Sequence, residues 1–118
     1  MKYLCLVFSD EKALSAMPQH ELDALMRSHL AYDEELRAGG HLVAAEALEP
    51  VRAATLLRVR SGRLVMADGP CIDAGEQLCG FYLIEARDLN EAIRVAARIP
   101  AARVGAVEVR PVLQLTGH

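Results

Sequence analysis

His29 and Asp33 stand four residues apart in a stretch whose apolar residues recur with helical spacing. That spacing brings an imidazole and a carboxylate together on one face of a helix. A histidine oriented by a carboxylate is the usual form of a general base. His29 also falls within the apolar stripe formed by Leu22, Leu25, Met26, Leu30, Tyr32 and Leu36. Partial burial there would displace its titration from the ordinary histidine value. The plainer alternative is a hydrogen-bonded histidine at a helix–sheet boundary, and the spacing alone leaves both open.

Three further positions carry candidate chemistry. Asp68 opens the segment Asp68-Gly69-Pro70-Cys71, in which an aspartate before Gly-Pro either serves a site or bonds the backbone ahead of it in a tight turn. Glu46 interrupts an otherwise apolar strand between Ala44 and Leu48, so its carboxylate faces a pocket or marks a solvent edge. Cys71 lies near Asp68, but the sequence shows no neighbouring base that would activate a thiol. His20 and His41 fall at the starts of a helix and a strand and are expected to be wet; His118 is terminal. There is no Walker loop, dinucleotide glycine fingerprint, HExxH motif or GxSxG elbow. The three cysteines are odd in number and lack a CxxC spacing, which indicates neither a zinc knuckle nor a disulfide framework. Reduced thiols, no metal and no cofactor are expected.

The elements that must position these groups follow from periodicity. Lys2 to Phe8 is a near-continuous apolar run and predicts a strand covered on both faces. Ser9 to Met17 is mixed and polar, expected to be loop. Pro18 to Ala38 predicts the long helix, entered at a proline that suits a first turn and stopped at Gly39-Gly40. His41 to Leu48 predicts a strand ended by Pro50. Ala54 to Arg60 and Arg63 to Ala67, joined by Ser61-Gly62, predict a hairpin. Cys71 to Gln77 is expected to be loop. Leu78 to Ala86 predicts a strand with Phe81 and Leu83 on one face and Tyr82 and Ile84 on the other. Asp88, with Glu91 in capping-box spacing, opens a second helix reaching Ile99 before Pro100. Ala106 to Leu113 predicts a half-exposed outer strand. The order is β-α-β, a hairpin insertion, then β-α-β: an α+β chain in a ferredoxin-like split βαβ arrangement, forming one domain over residues 1–118.

With 118 residues, 53% apolar and 25% charged, the chain has the composition of one compact domain. A net charge of −3 argues against a nucleic-acid partner; Arg52, Arg58, Arg60 and Arg63 belong to the predicted hairpin and are expected to be solvated. No segment approaches the ~20 apolar residues of a membrane span, and the first apolar run is too short for a signal-peptide core; a cytoplasmic location without a membrane partner is expected. Two helices cover only one face of the sheet, yet two strands are apolar on both. The simplest cover is a second copy about a two-fold axis, giving a homodimer. The alternative is that the hairpin folds back over that face.

Asp68-Gly69-Pro70-Cys71, the run Glu76-Gln77-Leu78-Cys79-Gly80-Phe81-Tyr82-Leu83-Ile84-Glu85-Ala86, and the later stretches Ala96-Ala97-Arg98-Ile99-Pro100-Ala101-Ala102-Arg103 and Val107-Glu108-Val109-Arg110-Pro111-Val112 resemble the YCII-related proteins that carry a DGPF-type motif. The resemblance covers nearly the whole chain. It implies a subunit of the dimeric α/β-barrel group and a His–Asp pair in a cleft between the first helix and the sheet, carried here by His29 and Asp68. Asp33, Glu46, Gly69, Pro70 and Cys71 are then candidate binding residues. The motif phenylalanine is Cys71 in this chain, which implies an altered pocket. The implied function is binding of a small molecule, as yet unknown, with acid–base, isomerase-like chemistry. The alternative is a regulatory module without chemistry, working with a sigma factor of the extracytoplasmic-function type.

Overall fold

The structure, a computed structural model, describes residues 1–115. The strands are β1 (Lys2–Ser9), β2 (Leu42–Ala47), β3 (Thr55–Arg60), β4 (Arg63–Asp68), β5 (Gln77–Glu85) and β6 (Ala106–Pro111). The helices are α1 (Glu11–Ala16), α2 (Gln19–Ala38) and α3 (Leu89–Ala97). Four strands form one antiparallel sheet in the order β2-β5-β1-β6, and β3 and β4 form a separate two-stranded sheet. With the hairpin set aside, the strand order is compatible with a ferredoxin-like fold.

Alternation along β1 decides which face the helices cover. Tyr3, Cys5, Val7 and Ser9 are buried, while Leu4, Leu6 and Phe8 are half-exposed. β5 repeats the pattern, with Gly80, Tyr82 and Ile84 inside and Phe81 and Leu83 half-exposed. Tyr32 and Leu36 of α2 and Ala92, Val95 and Ala96 of α3 close the core over this face. The Tyr32 hydroxyl donates to the Val95 carbonyl at 2.6 Å and ties the two helices together. Asp88 caps α3 by accepting from the Glu91 N–H, and the Glu91 carboxylate accepts from the Arg87 N–H, satisfying two otherwise orphaned donors.

Two expectations are corrected, the loop after β1 and a wet His41, and one alternative, the folded-back hairpin, is not adopted. The stretch after β1 is not all loop: Asp10 accepts from the N–H groups of Lys12 and Ala13 and starts α1, an N-cap without which so short a helix would be marginal. The β3–β4 hairpin does not fold back over the sheet. All its strand residues except Leu56 are exposed, and the molecule measures 48 × 47 × 19 Å. Its radius of gyration, 16.3 Å, exceeds the roughly 13–14 Å of a compact chain of this length. Ser61 and Gly62, both at positive φ, make the tight turn that the hairpin requires. His41 is half-buried, not wet: its Nδ1 lies 2.9 Å from the Glu85 carbonyl, which it reaches as an N–H donor. No helix of the described residues is long and apolar enough to cross a membrane.

Two glycines mark close backbone contacts. A Cβ on Gly105 would lie 2.1 Å from the Phe8 carbonyl oxygen, and one on Gly80 would lie 2.9 Å from that of Glu46. The register of β1 on β5 shifts between Val7, opposite Gly80, and Phe8, opposite Leu78. Cys79 is the extra residue of this bulge, and its Sγ lies 3.3 Å from Ser9 Oγ.

Candidate functional site

The two halves of α2 behave differently. Tyr32 and Leu36 seat its C-terminal half on the sheet, whereas Met26 and Leu30 in the preceding turns remain 62% and 61% exposed. The space left between that half of the helix and β1, β2 and β5 is a half-open pocket of about 570 Å³, within the usual range for a small-molecule site. Apolar side chains such as Val7, Leu22, Leu25 and Ala45 make most of its wall; Asp23, His29, Asp33, Glu46 and Tyr82 supply most of its polar groups.

Three of these groups form a chain. His29 Nδ1 lies 3.1 Å from the Tyr82 hydroxyl, and that hydroxyl donates to Asp33 Oδ1 at 2.6 Å. Tyr82 is 6% exposed and held by β5, so the rigid sheet fixes the middle of the chain and one helix carries both ends. Spacing on α2 brought His29 and Asp33 to one face; a tyrosine from across the core joins them.

The other sequence-derived candidates divide between two places. Glu46 lines the His29 pocket, although its side chain is largely exposed. Asp68 ends β4 opposite Thr55, is exposed, and does not line that pocket. Gly69 follows at φ 104°, a conformation that favours glycine, and its N–H donates to the Ala54 carbonyl. Pro70 and Cys71 line a second, mainly apolar groove of about 650 Å³ with Phe8, Val51, Ile72 and Leu78. Within one chain, therefore, His29 is joined to Asp33, while Asp68 belongs to the hairpin. Among the described residues no group of three or more His, Cys, Asp or Glu side chains is placed to hold a metal ion.

A family model described as the YCII-related domain matches residues 1–116. The chain belongs to the YCII-related family. It is also 36% identical, over 113 residues, to the protein named uncharacterized protein R00369 from Rhizobium meliloti (strain 1021); the match covers 94% of this chain and 91% of that protein. The pocket and the hairpin segment of this YCII-related chain both lie inside the matched region.

Electrostatics distinguish the groups of the YCII-related pocket. Burial holds the His29 pKa below the ordinary value of 6.5; the Asp33 carboxylate opposes that shift and the Arg103 guanidinium adds to it. The Tyr82 phenol is pushed far above its usual range by burial, then by its hydrogen bond to Asp33. At neutral pH the ring is mainly uncharged and the phenol keeps its proton. The sequence does not single out Tyr82 as a site residue, although alternation puts it on one face of its strand. The available signal was chemical: a phenol on a covered face needs a hydrogen-bond partner, and the polar residues of the facing helix stripe were His29 and Asp33.

Proposed function

We propose that this YCII-related protein binds a small, largely apolar molecule bearing a proton donor in the pocket under α2, and that His29 accepts the proton in an acid–base, isomerase-like step. The observation that carries this is the His29–Tyr82–Asp33 chain at a pocket wall otherwise made mostly of apolar groups. A neutral imidazole held by a neighbour is suited to accept a proton near pH 7. Asp23, Asp33 and Glu46 line the pocket while no lysine or arginine does, so an uncharged or amine-bearing ligand is favoured over an anion. This polar arrangement in an apolar pocket favours the reading over a module that only assists a sigma factor. A role for Asp68 rests on how two copies come together.

Amide-shift titrations with benzyl alcohol, benzylamine and benzoate test the binding. The alcohol and the amine are expected to move resonances of residues 25–33 and 79–82, and benzoate to move them least. Preferential binding of benzoate, or no response there to any probe, overturns the proposal. For the acid–base step, deuterium uptake at the α-carbon of cyclohexanone should fall on His29→Gln substitution, by up to the roughly 10²-fold expected of a lost general base. Equal uptake in the two proteins refutes His29 as the acceptor.

We also propose that a second copy covers the free face of the sheet. Leu4, Leu6, Phe8, Phe81 and Leu83 lie half-exposed along its two central strands. The projecting hairpin adds Leu57, Val59, Leu64 and Met66, all exposed. Exposed apolar residues in these numbers favour an interface.

A further inference from the structure

A phenol has one proton and two lone pairs, so Tyr82 can donate to only one of its two partners. The distances separate them. The 2.6 Å contact with Asp33 is the length of an O–H donor on a carboxylate, whereas the 3.1 Å contact with His29 is that of an N–H donor on an oxygen. If the phenol proton lies toward Asp33, the Tyr82 oxygen faces His29 with lone pairs only, and Nδ1 must carry the ring proton. We infer that Tyr82 is a positioning residue that holds neutral His29 as its Nδ1–H tautomer, leaving Nε2 as the lone pair that meets a bound molecule.

Every packed element contributes to this assignment. α2 supplies Asp33, whose negative charge draws the phenol proton away from the ring. β5 supplies Tyr82, whose high pKa keeps that proton in place. The turn after α3 supplies Arg103, whose positive charge disfavours a second proton on His29. Asp23 and Glu46 face the same pocket from α2 and β2. Solvated histidine prefers the opposite tautomer, with the proton on Nε2, so a fixed Nδ1–H form is a signature of this environment and not the ring's default. A ligand that offers an O–H, an N–H or an acidic C–H then finds an acceptor, and the proton taken up stays on Nε2 while Nδ1–H remains on Tyr82. The polarity of the site follows from two hydrogen bonds made within the protein.

The inference rests on His29 as the acceptor of the pocket, but its test needs no ligand. Two-bond nitrogen–proton spectra of the full chain, above the pKa of His29 and assigned with His29→Gln, report which ring nitrogen is protonated. A pyrrole-type Nδ1 and a pyridine-type Nε2 are expected, and Tyr82→Phe should make the Nε2–H form the major one. If Tyr82→Phe does not fold, Asp33→Asn, altered on the partly exposed helix, is expected to raise the Nε2–H population in the same direction. A pyridine-type Nδ1 in the unaltered protein overturns the inference, as does a folded variant whose tautomer is unchanged. Failure of the probe titrations would instead refute the pocket while leaving the tautomer standing.

Discussion

A lysine placed at Leu6 should separate the proposed pair of chains while leaving each chain folded. Leu6 sits in the middle of β1, opposite Phe81 on one side and Glu108 on the other. It is half-exposed in the single chain, so a long ammonium side chain reaches water and has a carboxylate beside it. The single chain therefore loses little. In a dimer the face closes. Burying a side chain of the type of Leu or Phe from full exposure stabilises by roughly 1.5–3 kcal/mol, which leaves about 1 kcal/mol for each of five half-exposed residues, or about 10 kcal/mol for both copies. Association costs about 4–15 kcal/mol. The strip alone is thus near balance, and Leu57, Val59, Leu64 and Met66 of the hairpin, 56% to 65% exposed, must supply the surplus. Closing the face over two ammonium groups costs several kcal/mol each in desolvation, which Glu108, already paired with Arg110, does not repay. Sedimentation velocity should give twice the chain mass of 12.8 kDa for the unaltered protein and the single mass for Leu6→Lys, with unchanged circular dichroism. A single-mass particle for the unaltered protein across the micromolar to near-millimolar range would refute the reasoning, as would a Leu6→Lys variant that stays paired at micromolar concentration.

Two other outcomes follow from particular residues. Because the folded His29 pKa lies below its ordinary value of 6.5, the unfolded chain binds the proton more readily; this contribution to stability is full above pH 6.5 and is lost as pH falls through the folded pKa. Urea melts from about pH 7.5 to pH 5 should show a pH slope that His29→Gln reduces, by at most ~1.4 kcal/mol per pH unit and by less for a half-exposed ring; no difference between the two slopes would contradict the burial argument. Gly105→Ala should destabilise by about 2 kcal/mol or more, since its Cβ would stand 2.1 Å from the Phe8 carbonyl oxygen, and a melting temperature equal to that of the unaltered protein would show that β1 can move aside.

The legible part of the fold was the part set by local chemistry. Gly39-Gly40 after a helical stripe, Ser61-Gly62 between two strands, Asp88 with Glu91 before α3 and alternation along β5 each specify their own structure within a few residues. α1 is not legible because the stretch around its cap, Asp10, is mixed and polar and carries no helical stripe. The standing-off of the β3–β4 hairpin was also hidden. Its alternating Arg58 and Arg60 against Leu57 and Val59 describe a two-faced ribbon, and a two-faced ribbon gives no direction until something packs on it.

The site was legible to the extent that it lies on one element. Four-residue spacing is enough to bring His29 and Asp33 together on α2, and a break in an apolar strand is enough to single out Glu46. The residue that turns this pair into a chain is Tyr82, 53 positions from His29 and 49 from Asp33, and no spacing encodes that meeting. It depends on the sheet order, which sets β5 between β2 and β1, and on the face of β5 turned to the helices. Asp68 shows the converse. The motif around it is conspicuous in sequence because a turn needs Gly69 at positive φ, so its visibility follows from backbone geometry and carries no information about distance to His29. In this chain the nearer carboxylate, reached through a buried phenol, is the one joined to the imidazole.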